Sequence, residues 1–179
     1  MTAQPHSRFL LHPSPIGEVL VVVTDGHDAA PGIVTLHPLR GALGNELERL
    51  SHVLGATVDH DEDDVLANDA ALQLDEYFAG ERRDFDIALD WRLVRGFTRA
   101  ALEAVREIPY GETAGYGEVA VSAGSPGAAR AVGTACATTP FSIVVPVHRV
   151  VRADGSIGEY GGHPEVKAFL LELERAASV

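Results

Sequence analysis

The hydrophobic rhythm of this 179-residue chain changes several times along its length. Pro15-Ile16-Gly17 precedes a nearly unbroken apolar run, Glu18 to Thr24, and Ile33-Val34-Thr35-Leu36 is a second such run. Both predict strands, with Gly26 to Gly32 as the loop between them. Ala71, Leu74 and Phe78 then recur at helical spacing, which predicts a helix capped by Asn68 and ended by Gly80. Phe85, Ile87 and Leu89 alternate with polar residues, the rhythm of a half-buried strand. The first half therefore reads as α/β. It carries no nucleotide-binding loop, no paired catalytic carboxylates and no repeat.

In the second half Phe97, Ala101, Ala104, Val105 and Ile108 follow helical spacing until Pro109-Tyr110-Gly111 stops them. A short helix is predicted over Tyr116 to Ser122, then a turn at Ala123-Gly124-Ser125. A further helix opens at Ser125-Pro126, with Ser as cap and Pro in the first position. Helix, tight glycine-containing turn, helix is a DNA-reading pattern, although two short helices can equally well just pack. The second of them is built almost wholly of small residues, Ala128-Ala129-Arg130-Ala131-Val132-Gly133-Thr134-Ala135-Cys136-Ala137. Such a helix can approach another backbone closely. Either it packs on a neighbour with Arg130 in solvent, or it lies in a DNA groove with Arg130 inserted into the base stack.

Composition and charge narrow the classes. With 46% hydrophobic residues the chain can bury a core, and no segment is apolar for long enough to span a bilayer. No charged-then-apolar leader stands at the N-terminus. One cysteine excludes an internal disulfide and most cysteine metal sites. A soluble cytoplasmic protein is expected. Net charge is −12, and all of it lies in the first half: residues 1–90 hold 5 Lys+Arg against 17 Asp+Glu, and residues 91–179 hold 9 of each. The run Asp59-His60-Asp61-Glu62-Asp63-Asp64 reads as a solvated loop. His6, His12, His27, His37, His52 and His60 show no metal-ligand spacing and read as surface histidines.

The stretch Ile143 to Val151 carries the chemistry. Its β-branched residues predict a buried strand, yet His148 and Arg149 sit inside it, and polar groups in an apolar strand need partners. In the last helix Val166, Leu170 and Leu173 mark the apolar face, with Glu174 beside them.

Five motifs occur in order: Ile108-Pro109-Tyr110-Gly111-Glu112-Thr113, Tyr116-Gly117-Glu118-Val119-Ala120, Gly127-Ala128-Ala129-Arg130-Ala131-Val132-Gly133, Pro146-Val147-His148-Arg149-Val150 and Gly158-Glu159-Tyr160-Gly161-Gly162. Together they resemble the O6-alkylguanine-DNA alkyltransferases, over roughly residues 92–175. The resemblance implies a ribonuclease-H-like N-terminal domain over 1–91 and a winged helix-turn-helix domain over 92–179. It implies a protein that flips an alkylated guanine out of duplex DNA and takes the alkyl group onto a cysteine. No cofactor and no metal are implied. By the same resemblance Tyr116 rotates the nucleotide's phosphate and Arg130 fills the vacated space. Ala128, Ala129 and Gly133 belong to the DNA-facing helix; Cys136, Val147, Tyr160 and Gly161 line the base pocket; His148 and Glu174 form a proton relay.

The chain departs from the family pattern where it matters most. The nucleophile of Pro-Cys-His-Arg-Val is replaced by Val147, which has no lone pair. Thr139-Pro140 stands where the family has Asn-Pro, and Ala137-Thr138 where a basic residue is common. These departures lead to an expectation of non-catalytic recognition of O6-alkylguanine in duplex DNA by a monomer, with a repair protein as a candidate partner. Two alternatives stand beside it: an alkyltransferase in which Cys136 substitutes as nucleophile, and a pseudo-enzyme that no longer binds DNA.

Overall fold

The computed structural model describes residues 6–25 and 30–178. His27 and most of the loop expected at Gly26 to Gly32 lie outside them. The chain divides into two compact units, Met1–Asp90 and Trp91–Val179.

The first unit is a four-stranded sheet with two helices. Strands β1 (His6–His12), β2 (Val19–Thr24) and β3 (Gly32–Pro38) form an antiparallel meander, and β4 (Thr57–His60) pairs parallel to β1, giving the order β3-β2-β1-β4. Every residue of β2 is buried. Its continuous apolar run is therefore that of a strand covered on both faces. Helix α1 (Leu43–Leu54) provides the crossover that a parallel partner requires and ends at Gly55, whose left-handed φ of 62° suits a residue with no Cβ. Helix α2 (Val65–Phe78) buries Ala67, Ala70, Ala71, Leu74 and Tyr77, and packs on β1, β2 and β3.

Several expectations are corrected here. The cap of α2 is Asp64, not Asn68: Asp64 Oδ1 accepts from the Ala67 N–H at 2.8 Å. Asp64 also accepts from Arg8 Nε at 2.7 Å. The acidic run is thus no mere loop, since it ends β4 and opens α2. Phe85 to Leu89 is not a strand but an extended segment that touches the sheet at one bridge, Leu89 with Ile33. Strand β1 and helix α1 had no clear periodicity to announce them.

The second unit packs short helices round a buried loop. Helix α3 (Gly96–Arg106) lies against α4 (Tyr116–Ser122) and α5 (Ala129–Ala137). A two-residue parallel pair, β5 (Ala114–Gly115) with β6 (Val150–Val151), ties the start of α4 to the later chain. Helix α6 (Pro164–Ala177) closes the unit. Helix α5 starts at Ala129 rather than at Ser125-Pro126, because Gly127 turns the chain at φ 88° and the Ala128 N–H closes on Ser125 O at 3.1 Å.

Residues 143–150 are buried, as a run of β-branched residues demands, but the stretch to Val151 does not form the expected long strand. The Val144 N–H bonds to Ser142 O, the Val147 N–H bonds to Val145 O, and Val147–Arg149 is a 3-10 turn. Ile143 adopts φ 71°, a left-handed conformation costly for a branched residue, yet its side chain is only 1% exposed. Burial holds it there. An apolar run reports burial, and burial alone cannot separate a strand from a packed coil.

Replacing Asp64 with Ala removes the α2 cap and one partner of Arg8 together. It should cost about 2 kcal/mol, read as a lower urea midpoint of the far-ultraviolet circular dichroism. An unchanged midpoint would show that the cap contributes nothing.

Candidate functional site

The 3-10 turn Val147–Arg149 places two polar side chains in the interior, and α6 meets them with one carboxylate. Glu174 is 1% exposed and His148 0% exposed. Glu174 Oε1 lies 2.7 Å from His148 Nε2. Arg149 donates to the same carboxylate from two nitrogens, Nε to Oε2 at 2.9 Å and Nη2 to Oε1 at 3.0 Å. The Gly111 N–H donates to Oε2 at 3.1 Å, and the chain bends there at φ 79°. Arg149 Nη1 reaches Ile108 O at 2.6 Å, and its guanidinium stands over the Tyr110 ring, 5.5 Å from the centroid.

Burial alone would raise the pKa of Glu174, but the hydrogen bonds from His148 and Arg149 and their charges outweigh it and hold the carboxylate at about 2. An ionised carboxylate only accepts, so the His148 proton sits on Nε2. Burial lowers the His148 pKa against the pull of Glu174, with the charges of Arg149 and Lys167 assisting. The imidazole is neutral and donates to a carboxylate already bound bidentately by arginine.

A second group surrounds Tyr116. Its ring is half-buried at the start of α4, 3.9 Å from where a Cβ on Gly133 of α5 would stand. Lys167 Nζ lies 5.9 Å from the ring centroid and donates to Val150 O of β6 at 2.5 Å. Cys136, one turn beyond Gly133 on α5, is half-buried. Burial pushes its thiol up to about 12, against the opposing charge of Lys167. Burial also raises the Tyr116 hydroxyl pKa, with Cys136 adding to the shift.

The remaining candidates are placed as follows. Arg130 is exposed on α5, with Ala128 and Ala129 half-buried at that helix's start. The two α5-end hydroxyls turn back on the helix, Thr134 Oγ1 to Arg130 O at 3.2 Å and Thr138 Oγ1 to Thr134 O at 2.8 Å. Val147 is 4% exposed and walls the interior of its turn. Tyr160 is buried, whereas Gly161 is exposed in the segment before α6. Among the described residues no group of three His, Cys, Asp or Glu could hold a metal ion, and no helix is long and apolar enough to cross a membrane.

Sequence reasoning missed Lys167, 1% exposed, and the part played by Gly111. The apolar face assigned to Val166, Leu170 and Leu173 is displaced: the buried set is Lys167, Leu170, Leu171 and Glu174. Those four stand at i, i+3, i+4 and i+7, so helical spacing could have found Lys167 had a lysine been admitted to the buried face.

With this geometry in view, the chain's relatives can be set beside it. Residues 9–91 match the ribonuclease-like domain of 6-O-methylguanine DNA methyltransferase, and residues 96–176 match that protein's DNA binding domain. The chain belongs to this methyltransferase family. A methylated-DNA–protein-cysteine methyltransferase of Mycolicibacterium paratuberculosis is 52% identical over 109 residues, which cover 61% of this chain and 66% of that protein. The matched stretch thus falls just short of two thirds of that relative's length. The crystal structure of Mycobacterium tuberculosis O6-methylguanine methyltransferase superposes with a TM-score of 0.73 at 38% identity, over 97% of this chain and 94% of that one. The Mycobacterium tuberculosis OGT has also been seen in complex with DNA, and that structure matches with a TM-score of 0.72 at 38% identity, over 96% of this chain and 94% of that one.

These relatives correct the expectation of non-catalytic recognition. They are named as cysteine methyltransferases, so their names point to group transfer rather than to binding alone. Replacing one side chain at position 147 does not empty the chain of nucleophiles, because Cys136 remains.

Glu174→Gln should cost about 3 kcal/mol at pH 7, since it breaks a buried ion pair. The pH dependence has a definite sign. The folded-state value near 2 lies below the ordinary 4.5, so the carboxylate's contribution is present above about 4.5 and lost as pH falls toward 2. His148, lowered from its ordinary 6.5, adds a loss of the same sign below that value. Urea midpoints of wild type and variant should therefore converge on acidification from pH 7 to pH 3. A gap as wide at pH 3 as at pH 7 would contradict the assignment.

Proposed function

We propose that this protein repairs O6-alkylated guanine in duplex DNA by taking the alkyl group onto Cys136. The observation that carries the reading is that the chain's only thiol lies on the lean helix α5, half-buried and beside Tyr116. In this reading residues 92–179 act as a winged helix-turn-helix, with α4 and α5 as its helix pair. Arg130, exposed on α5, enters the stack as the guanine leaves it. Ala128, Ala129 and Gly133 let the helix approach the backbone, and Tyr116 turns the phosphate. Val147, Tyr160 and Gly161 wall the pocket.

The chemistry balances without a cofactor. The thiol loses its proton, and the thiolate attacks the alkyl carbon. A carbon–sulfur bond forms as the carbon–O6 bond breaks. The electron pair stays on guanine, which takes up one proton. The product is a thioether, so each molecule acts once. His148 and Glu174 brace the pocket; with the carboxylate already held by Arg149, they are poorly placed to act as a base toward Cys136. The reading entails a cytoplasmic monomer. Excess acid in residues 1–90 makes residues 91–179 the DNA-facing part.

Incubation with a duplex carrying radiolabelled O6-methylguanine should label the protein with up to one equivalent, and Cys136→Ser should remove the label. The rate should climb with pH through the alkaline range, because a thiol held near 12 is almost wholly protonated at neutral pH. A wild-type protein that stays unlabelled at every pH would sink the reading.

Tyr116→Phe and Arg130→Ala should each weaken binding to the lesion-bearing duplex by about 1–3 kcal/mol. Fluorescence anisotropy across a salt series measures this. Unchanged affinity in both variants would show that the helix pair is not used on DNA in this way.

A further inference from the structure

Tyr116 is flanked by three residues. Lys167 Nζ stands 5.9 Å from its ring centroid, Gly133 of α5 borders Cε1, and Gly158 borders the hydroxyl. A Cβ placed on Gly158 would lie 3.6 Å from Tyr116 Oη and 3.4 Å from Arg152 Nε. The space that a side chain would take there, off a backbone at φ 71°, is thus bordered by a phenol hydroxyl and a guanidinium together.

Both groups are unspent donors. Among the described residues the Tyr116 hydroxyl makes no hydrogen bond, and the exposed Arg152 side chain makes neither a hydrogen bond nor an ion pair. Asp154, two residues on, turns to Ser156 instead: its Oδ1 accepts from the Ser156 N–H at 2.9 Å and from the hydroxyl at 2.7 Å. The Arg152 N–H bonds to Ser156 O at 3.0 Å and the Gly155 N–H to Arg152 O at 2.9 Å, so Arg152 extends from a closed turn. A guanidinium offers five N–H groups in a planar fork, and a phenol offers one O–H. An anion with adjacent oxygens satisfies both at once, and the fork matches the geometry of phosphate.

We propose that Arg152 and the Tyr116 hydroxyl grip one and the same backbone phosphate of the DNA strand that carries the lesion. Residues 91–179 hold nine Lys+Arg and nine Asp+Glu, so no net charge draws this unit to a polyanion. Single well-placed cations must do so. Arg149 and Lys167 are buried, and Arg99 is paired with Glu103, which removes three of the nine. Arg152 is exposed and unpaired beside the tyrosine that meets the turned phosphate in the repair reading. Tyr116 sets the position of that phosphate, and Arg152 supplies the charge that keeps it there while the base is outside the stack. The purpose of the grip rests on the repair reading, but its test needs no alkyl transfer.

The full-length chain carrying Cys136→Ser is titrated with a duplex bearing one O6-methylguanine and followed by fluorescence anisotropy, so that no alkyl group moves. Adding Arg152→Gln should weaken binding about fivefold at low salt. It should also flatten the plot of log affinity against log salt by about 1. Arg152→Lys should restore the slope. A set of duplexes then carries one uncharged methylphosphonate at each phosphate flanking the lesion in turn. At one position the neutral linkage should abolish the effect of Arg152→Gln, and at that same position it should abolish the effect of Tyr116→Phe. An unchanged slope in Arg152→Gln overturns the proposal. So does an Arg152 effect that survives at every position, or Arg152 and Tyr116 effects that vanish at different phosphates. A protein indifferent to every methylphosphonate overturns it with no Arg152 or Tyr116 variant at all. If wild type takes radiolabel from alkylated DNA while any of these failures holds, the repair reading stands and the grip is lost. A protein that shows both effects at one phosphate yet takes no label keeps the grip and loses the repair reading.

Discussion

One buried carboxylate organises the second unit. Glu174 is ionised in a place where an isolated charge would be prohibitive, and it is tolerated because Arg149, His148 and the Gly111 N–H all point at it. The donors come from two separate stretches of chain. Arg149 and His148 come from the 3-10 turn, Gly111 from the bend after α3, and the carboxylate itself from α6. Their meeting fixes where α6 lies. That placement puts Lys167, seven residues earlier on the same helix face, against Val150 and Tyr116. The arrangement round Cys136 thus depends on an ion pair that does not touch it.

The same knot changes how the His-Glu pair is to be understood. A histidine beside a carboxylate resembles a general base with its orienting acid. Arg149 alters that picture, because it already neutralises the carboxylate with a two-pronged bond. His148 contributes one donor to a structural charge cluster, and burial keeps its ring neutral.

Much of the architecture was legible in the residues. The α/β character of the first unit, the extent of α4 and the small-residue helix all follow from periodicity, caps and glycine positions. What escaped has physical causes. Strand β1 alternates imperfectly, and it is held between β2 and the sequence-distant β4, so pairing rather than local preference makes it a strand. Residues 143–151 carry strand-forming side chains but are folded by tight turns and by the strained Ile143. Position 68 offered a cap, yet Asp64 won it because Arg8 stood within reach of its other oxygen. The motif residues were placed by resemblance. Lys167 went unseen because a lysine on a helix is ordinarily assigned to solvent.

Helix α5 has one further consequence. Its hydroxyls at Thr134 and Thr138 are spent on the helix's own carbonyls, and its other side chains, apart from Arg130 and the Cys136 thiol, are methyl groups, hydrogens or a valine. Among its described residues only Arg130 offers a strong donor to the edge of a base pair. On the proposed reading, such a helix has almost no vocabulary for telling one stretch of genome from another. It would slide over promoters, coding regions and spacers with equal indifference. That suits a protein whose target is chemical damage, which can arise at any guanine.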